Sequence, residues 1–592
     1  MEKLKELLSK RKNLVLLTII FIIGLTLRII NADNLDVLPD NLLMVLPAIN
    51  FISSGLLEVF HQSTGLWYYT TDFFYKIFGV GQLGSRMPAL LFGSFSIIII
   101  FLIVKRLFNS NKAALFAALL LATDPFHITE TVAEMDAFIT FFLLFSLYFL
   151  IEFFHEKKSY YLILSFALLG MSMMSKIYTV LFIIPYAIIL LSYYWIYEKE
   201  VFSKKNTKLF FILGLTLLVF LFPMIVHNYL LYQDKGIVDL QFTRVFGIGS
   251  DISKPYYEWT TQFDKQFSLI GSFFGQESFF NAVIAILKIS PLIFILGLIG
   301  MIFLYIDNKK TIFYPIVLLF IPLIYIASVI FLPKHFLFFN TIMIIPASYL
   351  IEKIIIKFNQ IEKKIIFSLI ILIIVLHALL LIQHPFYLSK APINQIMEDT
   401  NQFEKDSVII VDPRLYTGQM HWIFYNQNYI SVLDFMELVN KQQNLTEQDV
   451  IKIKIYFVEC AATDCGWGTI KDNQQLNLSM QSFFSDISSD FKLKETINSS
   501  RYYYGNKEEY FKLYEGNLVL PKSIFNYITA NKAYWLYPIG YENPYYERFD
   551  KFALKSDFDT FLYSLAKLIL LFSLILEFLF IIYSIILLKR LN

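Results

Sequence analysis

Two short stretches carry acids at the edges of runs of membrane length. The first, NLDVLPDN, holds Asp36 and Asp40; the second, TDPFHITETVAEMDAF, holds Asp124, Glu130, Glu134 and Asp136. An ionised carboxylate at such a boundary is costly unless it is paired, hydrated or bound to metal, which makes it a functional candidate. A carboxylate there can take a proton from an attacking hydroxyl. Asp40 and Asp136 with His61 offer ligands for a divalent cation, although their spacing is no metal signature. The same acids also suit helix N-termini, where carboxylates are favoured without any chemistry. Basic residues complete the set: Arg86 in SRMP, Lys176 in SKIYT, and Lys334 and His335 in FLPKHFLFF. Grouped cations hold a departing phosphate. Singly, each is equally a side chain that snorkels to the interface.

The elements that must position these residues follow from composition. The chain has 592 residues, 57% hydrophobic and 18% aromatic, with mean hydropathy +0.57. Soluble domains are not built from repeated apolar runs of about 20 residues, the length that crosses a bilayer core about 30 Å thick. About twelve such runs lie near 14–31, 86–104, 113–130, 134–154, 160–177, 179–197, 209–231, 287–306, 311–332, 336–352, 365–384 and 561–588. The first is read as a retained span, since no A-x-A-like cleavage site follows it. Seven segments, including both termini, carry 22 of the 50 Lys and Arg residues and alternate along the chain. Positive loops stay cytoplasmic, so both termini are expected inside a plasma membrane.

That topology divides the chain into a membrane domain over 1–385, an extracytoplasmic α/β domain over 386–556 and a last span in 557–592. The outer loops of the membrane domain are 32–85, 124–135 and 232–280. In the outer domain, DSVIIVDP, YISVL and IKIYFVEC read as strands and DFMELVNK as a helix. Cys460 and Cys465 can close a small loop or stay reduced. Asn444, Asn477 and Asn498 head glycosylation triplets. A net charge of +2 gives no argument for a nucleic-acid partner.

The order of motifs resembles a known family. A first span leads to an outer loop opening with an acid and to surface helices ending in SG. There follow LWYY…FGVGQLGSRMPALLFG, a KRLF inner loop, LATDPFHITETVAEMDAFITFF and MSMMSKIYTVLFIIP. This pattern is similar to the GT-C superfamily of membrane glycosyltransferases, in particular family 39 with its protein O-mannosyltransferases and aminoarabinose transferases. The resemblance covers residues 10–200 well and the later spans loosely. It implies a polytopic helical GT-C fold and transfer of a sugar from a polyprenyl (dolichyl-type) phosphate donor to a lipid, glycan or protein acceptor, with inversion. It places the catalytic carboxylate at Asp40, followed by Asn41 where the family usually has Glu. It matches the second-loop acid to Asp136, the Arg before the second span to Arg86, and the Lys after the fifth to Lys176. Glu134, Lys334 and His335 join these as substrate-binding candidates by their place at outer span ends.

Two rival activities are expected to leave other marks. An oligosaccharyltransferase would carry a WWD-type acceptor motif, and CGWGTI is not one. A transporter would bury acids mid-span and show inverted repeats. Glu577 is the one residue that fits that pattern.

Overall fold

A computed structural model describes residues 12–34, 44–54, 63–131, 134–198, 203–236, 238–239, 242, 279–307, 318, 333–357, 362–383, 392–412, 420, 422–442, 449–461, 474–499, 508–530 and 553–590. Asp36, Asp40, His61, Cys465 and the expected span 311–332, apart from Leu318, lie outside them.

The membrane part is helical. Its elements are α1 (Lys12–Asn34), α2 (Gly65–Phe78), α3 (Gln82–Phe108), α4 (Asn111–Thr123), α5 (Pro125–Thr129), α6 (Asp136–Glu156), α7 (Ser159–Ser175) and α8 (Ile183–Tyr193). They continue as α9 (Lys204–Lys235), α10 (Phe279–Ile289), α11 (Pro291–Asp307), α12 (Leu337–Lys357) and α13 (Glu362–Gln383). Among the described residues seven helices are long and apolar enough to cross a membrane, or eight if the bent pair α10–α11 is one span. Three shorter apolar helices, including α4 and α7, bring the described helices into line with every expected run other than 311–332.

Position in the bundle follows from which faces are apolar. In α6 every residue from Asp136 to Phe153 is buried, as expected for a helix apolar on all sides. By contrast, α1 exposes Ile19 and Ile22 and the last helix exposes Leu568, Phe572 and Ile575. In a bilayer those side chains meet lipid, not water. Lys157, with φ 59°, ends α6 in a left-handed cap whose N–H returns to the Phe153 carbonyl at 2.8 Å. Helix α4 ends at Asp124, which is extended because Pro125 follows it. Helices α11 and α12 approach backbone to backbone. A Cβ on Gly300 would fall 2.1 Å from the Pro346 carbonyl oxygen, so only glycine fits there.

The polar part is an α/β unit. It comprises α14 (Pro392–Thr400), β1 (Val408–Val411), β2 (Asn428–Ser431), α15 (Val432–Gln442), β3 (Val450–Cys460), α16 (Gln474–Asp490), β4 (Lys492–Ser499), β5 (Glu508–Pro521) and α17 (Lys522–Ala530). The sheet order is β2-β1-β3-β5-β4, with β1 parallel to both neighbours and β5 antiparallel to β3 and β4. Alternation along β1 sends Val408 and Ile410 into a core of its own, and Ile409 and Val411 into the core shared with the membrane helices. Cys460 is disulfide-bonded. Helix α18 (Asp557–Arg590) returns through the bundle, where the Glu577 carboxylate meets the Thr70 hydroxyl of α2 at 2.9 Å.

Candidate active site

Lys176 is placed by the abrupt end of α7. Its backbone is extended, with its N–H on the Ser172 carbonyl at 2.9 Å and its own carbonyl taking the Thr179 hydroxyl at 2.9 Å. Thus the SMMSK stretch is the last turn of α7, and the break after it aims a lysine. Its Nζ meets both oxygens of Asp136, at 2.8 and 2.7 Å, with both side chains buried. Asp136 opens α6, where a carboxylate also complements the helix N-terminus.

A second pair lies alongside. Lys334 Nζ donates to Glu134 Oε1 at 2.9 Å. The two pairs are joined through Tyr178, whose ring centre lies 5.1 Å from Lys176 Nζ and 5.9 Å from the His335 ring. So Glu134, Asp136, Lys176, Lys334 and His335, read from three separate motifs, form one cluster.

Glu130, in the same loop, is the member that motif reading passed over. Its carboxyl is raised from its ordinary 4.5 to about 8, first by burial and then by the charges of Glu134 and Asp136, against the opposing Lys334 and Lys176. The folded protein therefore holds a proton between about pH 4.5 and 8 that the unfolded chain has released, and this group's share of stability falls as pH rises through that window. Glu130→Gln should remove that slope. The variant's thermal midpoint is expected to match the parent's near pH 4 and to exceed it near pH 9. A difference independent of pH would sink the assignment.

Arg86 reaches the end of the first span. It is buried, and its guanidinium donates to the Ala32 carbonyl in the last turn of α1, directly before the segment that carries Asp36 and Asp40. Asp124 takes the bland role open to every acid here. It caps α5 by accepting from the Phe126 and His127 N–H groups, and also accepts from Ser290 at 2.7 Å and Asn340 at 2.8 Å. That pins the α10–α11 bend and α12 to the loop. Arg28 completes the support. It donates to the Leu121 and Ala122 carbonyls and to His127 Nδ1, so the imidazole is neutral with its proton on Nε2; burial, then the Arg28 charge, holds it well below its usual range. Farther along, Asp239 accepts from Ser63 and from Asn228, tying the segment after α9 to the one before α2.

Of Asp40, Asp136 and His61, the residues that offer ligands for a divalent cation, only Asp136 lies among the described residues. Among the described residues no three His, Cys, Asp or Glu side chains are grouped for a metal. Asp136 and Glu134 are each engaged by a lysine.

Known proteins resemble this chain in part of its sequence and in fold. A protein-family profile described as dolichyl-phosphate-mannose-protein mannosyltransferase matches residues 63–227, the segment holding Arg86, Glu134, Asp136 and Lys176. An uncharacterized protein of Aquifex aeolicus (strain VF5) is 25% identical over 206 residues, which is 34% of this chain and 39% of that relative's own length. The crystal structure of ArnT from Cupriavidus metallidurans bound to undecaprenyl phosphate superposes with TM-score 0.52 at 10% identity, covering 84% of this chain and 97% of that one. Its apo form gives TM-score 0.52 at 11% identity over the same shares. At such identities the likeness is one of fold: the chain is a multi-pass membrane protein with the fold of the GT-C membrane glycosyltransferases.

Proposed function

We propose that the protein transfers a sugar from a polyprenyl-phosphate donor to a hydroxyl-bearing acceptor, glycan, lipid or protein, at the outer face of a membrane. The observation that carries this reading is the cluster itself. Two ammonium groups and an imidazole converge beside three acids where apolar helices end, in the fold that holds undecaprenyl phosphate in ArnT. Lys176, Lys334 and His335 hold the lipid phosphate, exchanging their carboxylate partners for it, and Arg86 steadies the segment leading to Asp40. Asp40 takes the acceptor's proton as the acceptor oxygen bonds to the anomeric carbon. The bond from that carbon to the phosphate oxygen breaks on the opposite face, its electron pair leaves with the phosphate, and the configuration inverts.

The test is turnover by the purified protein in proteoliposomes containing synthetic polyprenyl-phosphate hexoses and pentoses. Release of free polyprenyl phosphate in the presence of acceptor is expected. Lys334→Ala should raise the donor KM by about 10- to 100-fold, since a charged hydrogen bond contributes about 1.5–3 kcal/mol. No turnover of any such donor would overturn the reading, and an unchanged donor KM would reduce Lys334 to an interface anchor.

The orientation is proposed with both termini inside, on the strength of the basic loops. With the native cysteines replaced by Ser, Ser9→Cys should react with an impermeant reagent only after permeabilisation and Ser499→Cys in intact cells. The reverse pattern would turn the cluster toward the cytoplasm.

A further inference from the structure

We propose that the α/β domain is a positioning element for the first outer loop, acting through a hydrogen-bond relay from Trp422 through Tyr75 to the Val45 backbone. The inference deepens the reading above and rests on Asp40 as the base.

Trp422 lies between β1 and β2 and is fully buried in the core shared with the membrane helices. Its indole N–H donates to the Tyr75 hydroxyl at 3.1 Å, and that hydroxyl meets the Val45 carbonyl at 3.1 Å. The direction of the relay is fixed by inventory. An indole nitrogen only donates and a carbonyl only accepts, so the single phenol proton goes to Val45. Tyr75 is itself held in place by Gly84, where a Cβ would fall 2.7 Å from its ring.

The recipient segment has little regular structure of its own. Met44 and Val45 are helical, residues 46–50 turn and Phe51–Ser54 forms one helical turn; residues 44–49 and 51 are buried and Asn50 is exposed. They are fixed from outside at further points. Trp67 Nε1 donates to the Met44 carbonyl at 2.6 Å, and the Ile52 N–H donates to Asp72 at 2.7 Å. Asn50 reaches the Tyr425 hydroxyl of the α/β domain at 3.4 Å. All three α2 residues, Trp67, Asp72 and Tyr75, lie on one helix. That helix is braced by the last span through Thr70–Glu577 and rings Phe73–Phe578, and touches α6 through Trp67–Phe138, two residues beyond Asp136. Met44 is four residues beyond Asp40. The outer domain and the last span therefore act on one helix, which grips the segment next to the base and also contacts the helix carrying Asp136. A reacting group misplaced by about 1 Å costs on the order of 10²-fold in rate, so a relay that sets register acts on kcat and not on donor binding.

Tyr75→Phe deletes the hydroxyl and Trp422→Phe deletes the indole N–H, each keeping a ring in place. Transfer should fall about tenfold in Tyr75→Phe and several-fold in Trp422→Phe, with the donor KM within about twofold of the parent. The double variant should be no slower than Tyr75→Phe alone, because the tryptophan acts through that hydroxyl. Amide hydrogen exchange of residues 44–54 should quicken in both variants while that of α6 stays as in the parent, a readout independent of any acceptor. Losses that multiply in the double variant, a donor KM that rises with kcat unchanged, or unchanged exchange over 44–54 would overturn the relay. Should Asp40→Asn retain transfer, the base reading fails. The coupling of Trp422 to Tyr75 and the exchange over 44–54 would still report on the relay.

Discussion

Asp40→Asn should lower sugar transfer by about 10²- to 10⁴-fold while polyprenyl-phosphate binding stays near the parent's, since that is the usual contribution of a general base. The substitution keeps the side chain's size and removes its basicity. In the sequence Asp40 stands four residues before Met44, whose carbonyl takes the Trp67 indole N–H of α2. Asp36 is separated from it by Pro39, which disfavours a continuous helical turn linking the two on one face. Asp36→Asn should keep most activity. The acids of the second loop are poorer bases for an incoming hydroxyl, because Asp136 and Glu134 are already bound to Lys176 and Lys334. Near-normal transfer by Asp40→Asn would nevertheless move the search for the base to them.

The second large effect is expected at Lys176. It is buried with Asp136, and Lys176→Met would leave that carboxylate in the bundle without its cation. Removing one partner of a buried pair costs about 3–5 kcal/mol, mostly the penalty of the stranded charge. Adding Asp136→Asn should recover most of that loss, since a neutral amide needs no counter-charge. Transfer should not recover with it. The double variant, folded and inserted, is expected to turn over donor at least about tenfold more slowly, because the ammonium proposed to meet the phosphate is gone. Stability measured by thermal midpoint and transfer measured on the same preparations separate the two roles. Parallel recovery of both would make the pair a structural tie and leave the phosphate to Lys334 and His335.

Several parts of this protein were legible in residue order. Membrane runs are recognised by length and apolarity alone, and the two short ones, α4 and α7, fall where Pro125 and SMMSK signal a stop. Strands β1, β2 and β3 and helix α15 sit on the segments whose alternation announced them. The acids and cations of the site were legible as types, since a charge at the mouth of an apolar span demands a reason. Their pairing was not. Nothing in the spacing says that Lys176 takes Asp136, 40 residues away, or that Lys334 takes Glu134, 200 residues away. Nor does it say that Asp124 caps a helix instead, or that Glu577 meets Thr70 across 507 residues.

Spans and strands are local properties, written in the period and polarity of neighbouring residues, and so the sequence by itself determined a membrane-embedded helical bundle with a sheet domain and acids at its span ends. Which acids are bound by lysines, the raised carboxyl of Glu130 and the contact of Trp422 with Tyr75 were decided only by tertiary structure. Desolvation and charge–charge interaction depend on distance in space, and packing brings together groups that the chain keeps far apart.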